Sequence, residues 1–268
     1  MKPLIFALKA SPDQRLDLSA LLPEKLASQN VKDIAAIEIG TTKEKVTVGD
    51  VFKLRSGDAQ EVHFEGGTDK LDRIGEAMTS GHIIVHGDVG IEAGRMMSGG
   101  ELLIGGDAGP FAGSRMTGGR LEIGGDAGDF LTAPRDGEMQ GMSGGLLIVR
   151  GSAGARAGDR MRRGTILIEH AAGDWPGSRM VAGTLIILGA SGANPGYLMR
   201  RGTLVLGKES SPPPTFVDCG LAASNFTGLF SRLIEEESRG AARLFKSALQ
   251  RFGGDISTLG KGEILIRA

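Results

Sequence analysis

Apolar residues recur along this chain in two columns with a 19-residue period. Ile83, Leu102, Leu121, Leu147, Ile166, Leu185 and Leu204 make one column; Val85, Ile104, Ile123, Val149, Ile168, Ile187 and Leu206 make the other. The columns lie two residues apart, so in extended backbone both point to one face of a strand. Each copy opens on a glycine, at Gly81, Gly100, Gly119, Gly145, Gly164, Gly183 and Gly202, with intervals of 19, 19, 26, 19, 19 and 19 residues. A third column is methionine: Met78, Met97, Met116, Met142, Met161, Met180 and Met199. Seven of the ten methionines share that place, which marks a structural period rather than glycine-rich drift.

Strands this short cannot bury a face alone, whereas like coils stacked about 4.8 Å apart can, each strand pairing in parallel with its copies. The pattern predicts an all-β core, a right-handed parallel β-helix of about seven 19-residue coils over residues 62–207. Nineteen is not a multiple of the six expected of left-handed hexapeptide coils, hence the right hand. The methionines are expected inside as a structural ladder, where an unbranched side chain fills irregular gaps. Glycine is expected where a coil needs positive φ or close backbone approach. Ile84, Leu103, Glu122, Ile148, Leu167, Ile186 and Val205 should face outward, yet most are apolar, so a flank or a partner must cover them. The third copy carries seven extra residues within 131–139; its APRDGE segment has turn chemistry, and it is expected to project without coil contacts as a candidate docking loop.

Both flanks read as caps. Residues 1–61 predict a small α+β unit, with a strand near Leu4–Leu8, a helix near Leu18–Ser28 and strands near Ile34–Ile39 and Lys45–Leu54. Residues 208–268 break at SSPPP and then predict a helical cap, one kinked helix or two. Its apolar stripe is Phe226, Leu229, Leu233, Ala241, Leu244, Phe245, Leu249 and Phe252, and a final strand, GEILIRA, follows.

Composition narrows the function classes. The net charge of -1 argues against a general nucleic-acid or membrane-surface binder. Cys219 is the single cysteine, which excludes an internal disulfide framework and is read as a buried thiol. With no apolar run of spanning length and no signal-peptide pattern, the reading is cytoplasmic. GGDAG at 105–109 and 124–128 resembles phosphate-cradling loops, but no helix follows and the turn recurs from coil to coil, so it reads as structural. His82 and His86 sit in a strand without a recognisable third ligand, so no metal site is assigned. No nucleophile–base signature is present, so no catalytic residue is assigned. Arg115, Arg160 and Arg179 immediately precede the methionine, and Arg162 and Arg200 follow it. Being next to an inward residue, they are expected to point outward. They are read either as solvated or ion-paired arginines or as a stripe for an acidic partner or polyanionic cofactor tail.

The coil GGDAGPFAGSRMTGG and its recurrence resemble the GXGXG β-helix of the formylmethanofuran dehydrogenase C-subunit family, also found at the C-terminus of the large glutamate synthase subunit. The resemblance spans about residues 62–207, and the chain has no room for the catalytic domains of glutamate synthase. It implies a scaffold subunit without a catalytic site of its own, within a hetero-oligomer of hydrolase-like A, B and formyltransferase D subunits, a dimer of heterotetramers being one arrangement. The implied chemistry passes a formyl group between tetrahydromethanopterin and a methanofuran or methylofuran-type cofactor, with the metal in a partner subunit. Within the family, richness in arginine favours the bacterial formyltransferase/hydrolase complex of methylotrophs. The archaeal tungsten or molybdenum dehydrogenase subunit and a stand-alone protein related to glutamate synthase stay open as alternatives.

Overall fold

The computed structural model describes residues 2–268, Ser224 by its backbone alone; Met1, where the expected N-terminal unit begins, lies outside the described residues. Near the N-terminus come β1 (Pro3–Leu8), β2 (Leu16–Asp17), three short helices α1 (Pro23–Leu26), α2 (Val31–Ala35) and α3 (Val48–Val51), and β3 (Phe52–Arg55). The expected helix over Leu18–Ser28 shrinks to α1, because Pro23 has no amide proton to give an interior turn and is suited to a first one. The expected strand at Ile34–Ile39 is replaced by α2, whose Asn30 cap accepts from the Lys32 and Asp33 amides at 2.9 and 3.0 Å. The expected strand at Lys45–Leu54 is interrupted by α3, which opens on a capping box between Thr47 and Asp50.

The chain then lays down β4 (Asp58–Glu65), the two-residue β5 (Leu71–Asp72), and one strand per repeat: β6 (His82–His86), β7 (Glu101–Ile104), β8 (Arg120–Ile123), β9 (Ser143–Val149), β10 (Arg163–Ile168), β11 (Thr184–Ile187) and β12 (Arg201–Leu206). From β4 to β12, leaving β5 aside, each strand pairs in parallel with the next, and Val62, Ile83, Leu102, Leu121, Leu147, Ile166, Leu185 and Leu204 are register partners. A one-residue slip would turn the side chains of both inward columns outward, so the two apolar columns fix this register. A second line of parallel bridges runs Val89, Ala108, Ala127, Ala153, Ala172, Ser191, so successive repeats also touch beyond the strand. All seven methionines of the third column are fully buried.

Flanking segments extend the same sheet at both ends. β1 pairs in parallel with β4, and β3 closes that edge antiparallel to β1, over a cluster of Phe6, Phe52 and Phe64. After β12 come β13 (Val217–Leu221), α4 (Ser224–Ile234), α5 (Arg239–Lys246), β14 (Leu249–Gly253) and β15 (Lys261–Arg267). β15 adds a parallel strand beside β12, and β14 and β13 follow antiparallel. Leu249 and Phe252, expected on a helix, lie in β14: the helix ends at Ser247 and the chain turns back to pair with β15. The described residues thus form a mostly β structure, one mixed thirteen-stranded sheet and a second of two strands, with few helices. Cys219, read as a buried thiol, is exposed on the edge strand β13.

The turns were only partly legible. Glycine occupies left-handed positions such as Gly100 and Gly183, where a Cβ would also meet the methionine methyl of the coil before at 2.7–2.8 Å. Two further left-handed columns hold side chains that ordinarily avoid that conformation. Arg73, Glu92, Phe111, Phe130, Arg156, Trp175 and Asn194 make one, with φ between 54 and 63°. Met96, Arg115, Arg160, Arg179 and Leu198 belong to the other. Each such residue costs of order 1–2 kcal/mol. Hydrogen bonds between repeats offset that cost: the Arg160 amide donates to Ser178 O and the Arg179 amide to Tyr197 O, one repeat on.

Candidate partner-docking surfaces

The arginine column divides. Arg115, Arg160 and Arg179 sit in left-handed turns rather than in strand, so period-two alternation does not set their direction. Arg179 is held by the buried Asp159, Nε to Oδ1 at 2.8 Å, and Ser178 Oγ donates to the same carboxylate at 2.6 Å. Arg115 pairs with Glu138 at 3.1 Å, and Arg160 donates to the Glu138 carbonyl at 3.0 Å. Arg162 and Arg200, by contrast, are exposed and have no ion-pair partner among the described residues.

Glu138 belongs to the insertion, which does not simply project. Leu131, Thr132 and Ala133 at its root are fully buried, and only the tip around Arg135–Gly137 and Met139 is exposed. Glu138 reaches back to Arg95 at 2.7 Å, to Arg115, and to the Arg135 amide at 2.9 Å. Partial burial would raise its pKa, but these three donors outweigh burial and hold it down at about 2. Arg135 in turn approaches Glu92, which is 1% exposed and is also held by Arg73 at 3.1 Å. Burial pushes neighbouring Glu76 up against the pull of Arg73 and Arg95. The expectation of an insert free of such contacts is therefore corrected: the Glu138 carboxylate holds the two preceding copies through Arg95 and Arg115, and its backbone carbonyl holds the following copy through Arg160. An acidic residue inside an insert facing an arginine column was the available signal.

GGDAG also has a mechanical explanation. Asp88 Oδ1 accepts the Asp107 amide at 2.8 Å, Asp107 accepts that of Asp126 at 2.7 Å, and Asp126 that of Ser152 at 2.7 Å. A Cβ on Gly106 or Gly125 would stand 2.0–2.1 Å from those carboxylates, so the glycine makes room for the neighbouring repeat's aspartate. On the outer ladder, Phe111 stacks on Phe130 at 5.0 Å and Arg156 lies over Trp175 at 5.0 Å.

On the outer face of the sheet, Ile148, Leu167, Ile186 and Val205 are fully buried beneath Ile234, Ala241, Leu244 and Phe245 of the helix pair. Ions pin that cover. Arg120 pairs with Glu101 at 2.9 Å, with Glu122, and with Glu237 of the helix linker at 2.5 Å. Arg150 bridges Glu122 at 2.7 Å and Glu169 at 3.0 Å and donates to the Glu237 carbonyl. His82 meets Glu101 at 3.2 Å, and His63 lies between Glu61 at 2.9 Å and the His86 ring at 5.7 Å. Among the described residues no group of three His, Cys, Asp or Glu is placed to hold a metal.

No family model matches the chain. It is 50% identical over 261 residues to the C subunit of the formyltransferase/hydrolase complex Fhc of Methylorubrum extorquens, spanning 97% of this chain and 98% of that protein. The chain belongs to the Fhc C-subunit family. Its fold matches that of a chain in the crystal structure of the formyltransferase/hydrolase complex FhcABCD from Methylorubrum extorquens with methylofuran. The TM-score is 0.94 at 39% identity, covering 98% of this chain and 99% of the other. Likeness to the C subunit of tungsten-containing formylmethanofuran dehydrogenase 2 is shorter. It is 33% identical over 93 residues in Methanococcus maripaludis and 36% over 99 residues in Methanothermobacter wolfeii, about a third of this chain. In this relative of the Fhc C subunit, no described helix is long and apolar enough to cross a membrane. Three of its cavities, of 510–620 Å³, are open clefts lined largely by charged, small and aliphatic side chains.

Proposed function

We propose that this chain is the non-catalytic structural C subunit of a formyltransferase/hydrolase complex that oxidises formaldehyde to formate in one-carbon metabolism. One observation carries the reading: essentially the whole chain corresponds in sequence to the Fhc C subunit and in fold to a chain of the multi-subunit FhcABCD assembly. In this reading the chain is a right-handed parallel β-helix over residues 62–207, between an α+β cap at 1–61 and a helical cap at 208–268. The hand is supported by the rule that parallel crossovers within one sheet are right-handed in about 98% of cases. Formyl transfer between tetrahydromethanopterin and a methylofuran-type cofactor takes place on the A, B and D partners, one of which holds the metal.

The chain's own polar side chains support a scaffold role, because the repeats spend them between coils. Asp107, Asp126, Asp159, Glu138, Arg95 and Arg179 all tie one repeat to another. The test is co-expression with the other subunits of the complex. The assembled complex should turn over formylated methylofuran, the purified single chain should not, and omitting this chain should lower the yield of its partners. Robust turnover by the single chain would overturn the proposal.

A further inference from the structure

We infer that the surface carrying Arg200, Arg201 and Lys261 is a docking site for an acidic face of another protein chain. The inference rests on the proposed place of this chain in a multi-subunit complex and names the surface through which it is held there.

Charge pairing across the sheet supplies the first observation. Where charged or ionisable residues face one another along the repeat strands, they are complementary: Glu61 with His82, Glu65 with His86, His82 with Glu101, Glu101 with Arg120. Arg201 opposite Lys261 is the exception, two cations in direct register on β12 and β15. Like charges placed directly opposite destabilise a sheet, so local folding gives no reason for this pair. Arg200 precedes it, and Arg162 and Arg163 stand about 10 Å away, two strands back. All five side chains are exposed, and none has an ion-pair partner among the described residues. The nearby carboxylates are spoken for: Asp159 by Arg179, Glu263 by Arg251 and Thr203, Asp255 by the Leu198 amide and Ser257. Corresponding positions in earlier coils, such as Ser98–Gly99 and Thr117–Gly118, are uncharged.

The second observation decides between a protein and a free polyanion. The loop leading into β15 is seated on the last coil, with Thr258 Oγ1 donating to Met199 O at 2.9 Å and the Lys261 amide to Arg200 O at 3.2 Å. It presents Ile256 and Leu259, 67% and 50% exposed, beside the cations, and Tyr197 is 47% exposed just before Arg200. A polyanion gains nothing from aliphatic side chains. Exposed apolar residues mixed with arginine and tyrosine are the composition of a protein interface.

The test uses the full chain co-expressed with the other subunits, one of them tagged, and measures how much of this chain is captured at about 0.15 M salt. Arg200→Glu/Arg201→Glu/Lys261→Glu should lower capture about tenfold or more, and Ile256→Ser/Leu259→Ser should lower it with much weaker salt dependence. Arg201→Glu alone should raise the isolated chain's Tm by relieving the like-charge pair, while still weakening capture; that opposition separates docking from misfolding. Equal capture of the unaltered chain and the triple variant would overturn this inference alone. Failure to capture the unaltered chain would overturn the proposed function and this inference with it. Intact capture with lost binding of a poly-glutamate peptide would assign the surface to a free polyanion and overturn protein docking.

Discussion

The outer face of the sheet carries one apolar column from end to end, yet its two halves are finished differently. In the C-terminal half, Ile148, Leu167, Ile186 and Val205 are sealed under α4 and α5 and form a second core with them. In the N-terminal half, Ile84 and Leu103 occupy the same register but remain half-exposed, between His82, His86 and Glu101. The division falls at β8, where Glu122 takes the apolar place and, with Arg120 and Arg150, anchors the helix linker through Glu237. The N-terminal coils are fastened elsewhere, by the insertion strapped across Arg95 and Arg115. A repeated strand thus does not dictate what covers it; the flank that reaches it does.

The largest test of that contrast compares equivalent residues. Leu167→Ala should destabilise by about 2–5 kcal/mol, because it empties a fully packed site between sheet and helices. Leu103→Ala, at the same place in an earlier coil, should cost about 1 kcal/mol, as expected for a half-buried side chain. Denaturant melts of the two variants measure the difference, and equal losses would remove the contrast. Met161→Ala and Met180→Ala serve as interior references and should each cost about 2–5 kcal/mol, since both side chains are fully buried.

A smaller effect is expected at the start of α5, where Ser238 caps the Ala241 amide at 3.3 Å. Ser238→Ala should cost about 1 kcal/mol and speed amide hydrogen exchange in the helices before the repeats. Glu237→Gln should be milder, because Arg120 keeps Glu101 and Glu122 as partners. Acid should act on the other half. Glu138 is held down at about 2, so its contribution is complete above the ordinary carboxylate value of about 4.3 and is lost as pH falls through 2. Protease cutting of residues 131–139 should therefore rise within that window in the parent and already be fast at neutral pH in Glu138→Gln. An identical pH profile in the two proteins would show that the strap is not held by this carboxylate.

The sequence by itself determined the strand register, the interior methionines and the need for cover over the outer column, because each follows from a period repeated seven times. A one-residue shift would turn the two inward columns outward in every repeat and bring Glu122 to the inner face. The family could also be named from the coil motif. Tertiary structure alone decided the rest. Left-handed Arg160, Arg179 and Phe111 have no local signature, since the conformation is held by hydrogen bonds to the following coil. Arg115, Arg160 and Arg179 sit in those left-handed turns, where strand alternation does not apply, and the arginine stripe divides into members holding Asp159 and Glu138 and members left free. In the N-terminal flank, the caps Asn30 and Thr47 stand in the sequence beside the apolar runs and decide for short helices. Leu249 and Phe252 were not readable: they continue a helical stripe in sequence, and only pairing with β15 draws them into a strand. Local pattern specifies what a residue must bury; which surface arrives to bury it depends on contacts that sequence spacing does not record.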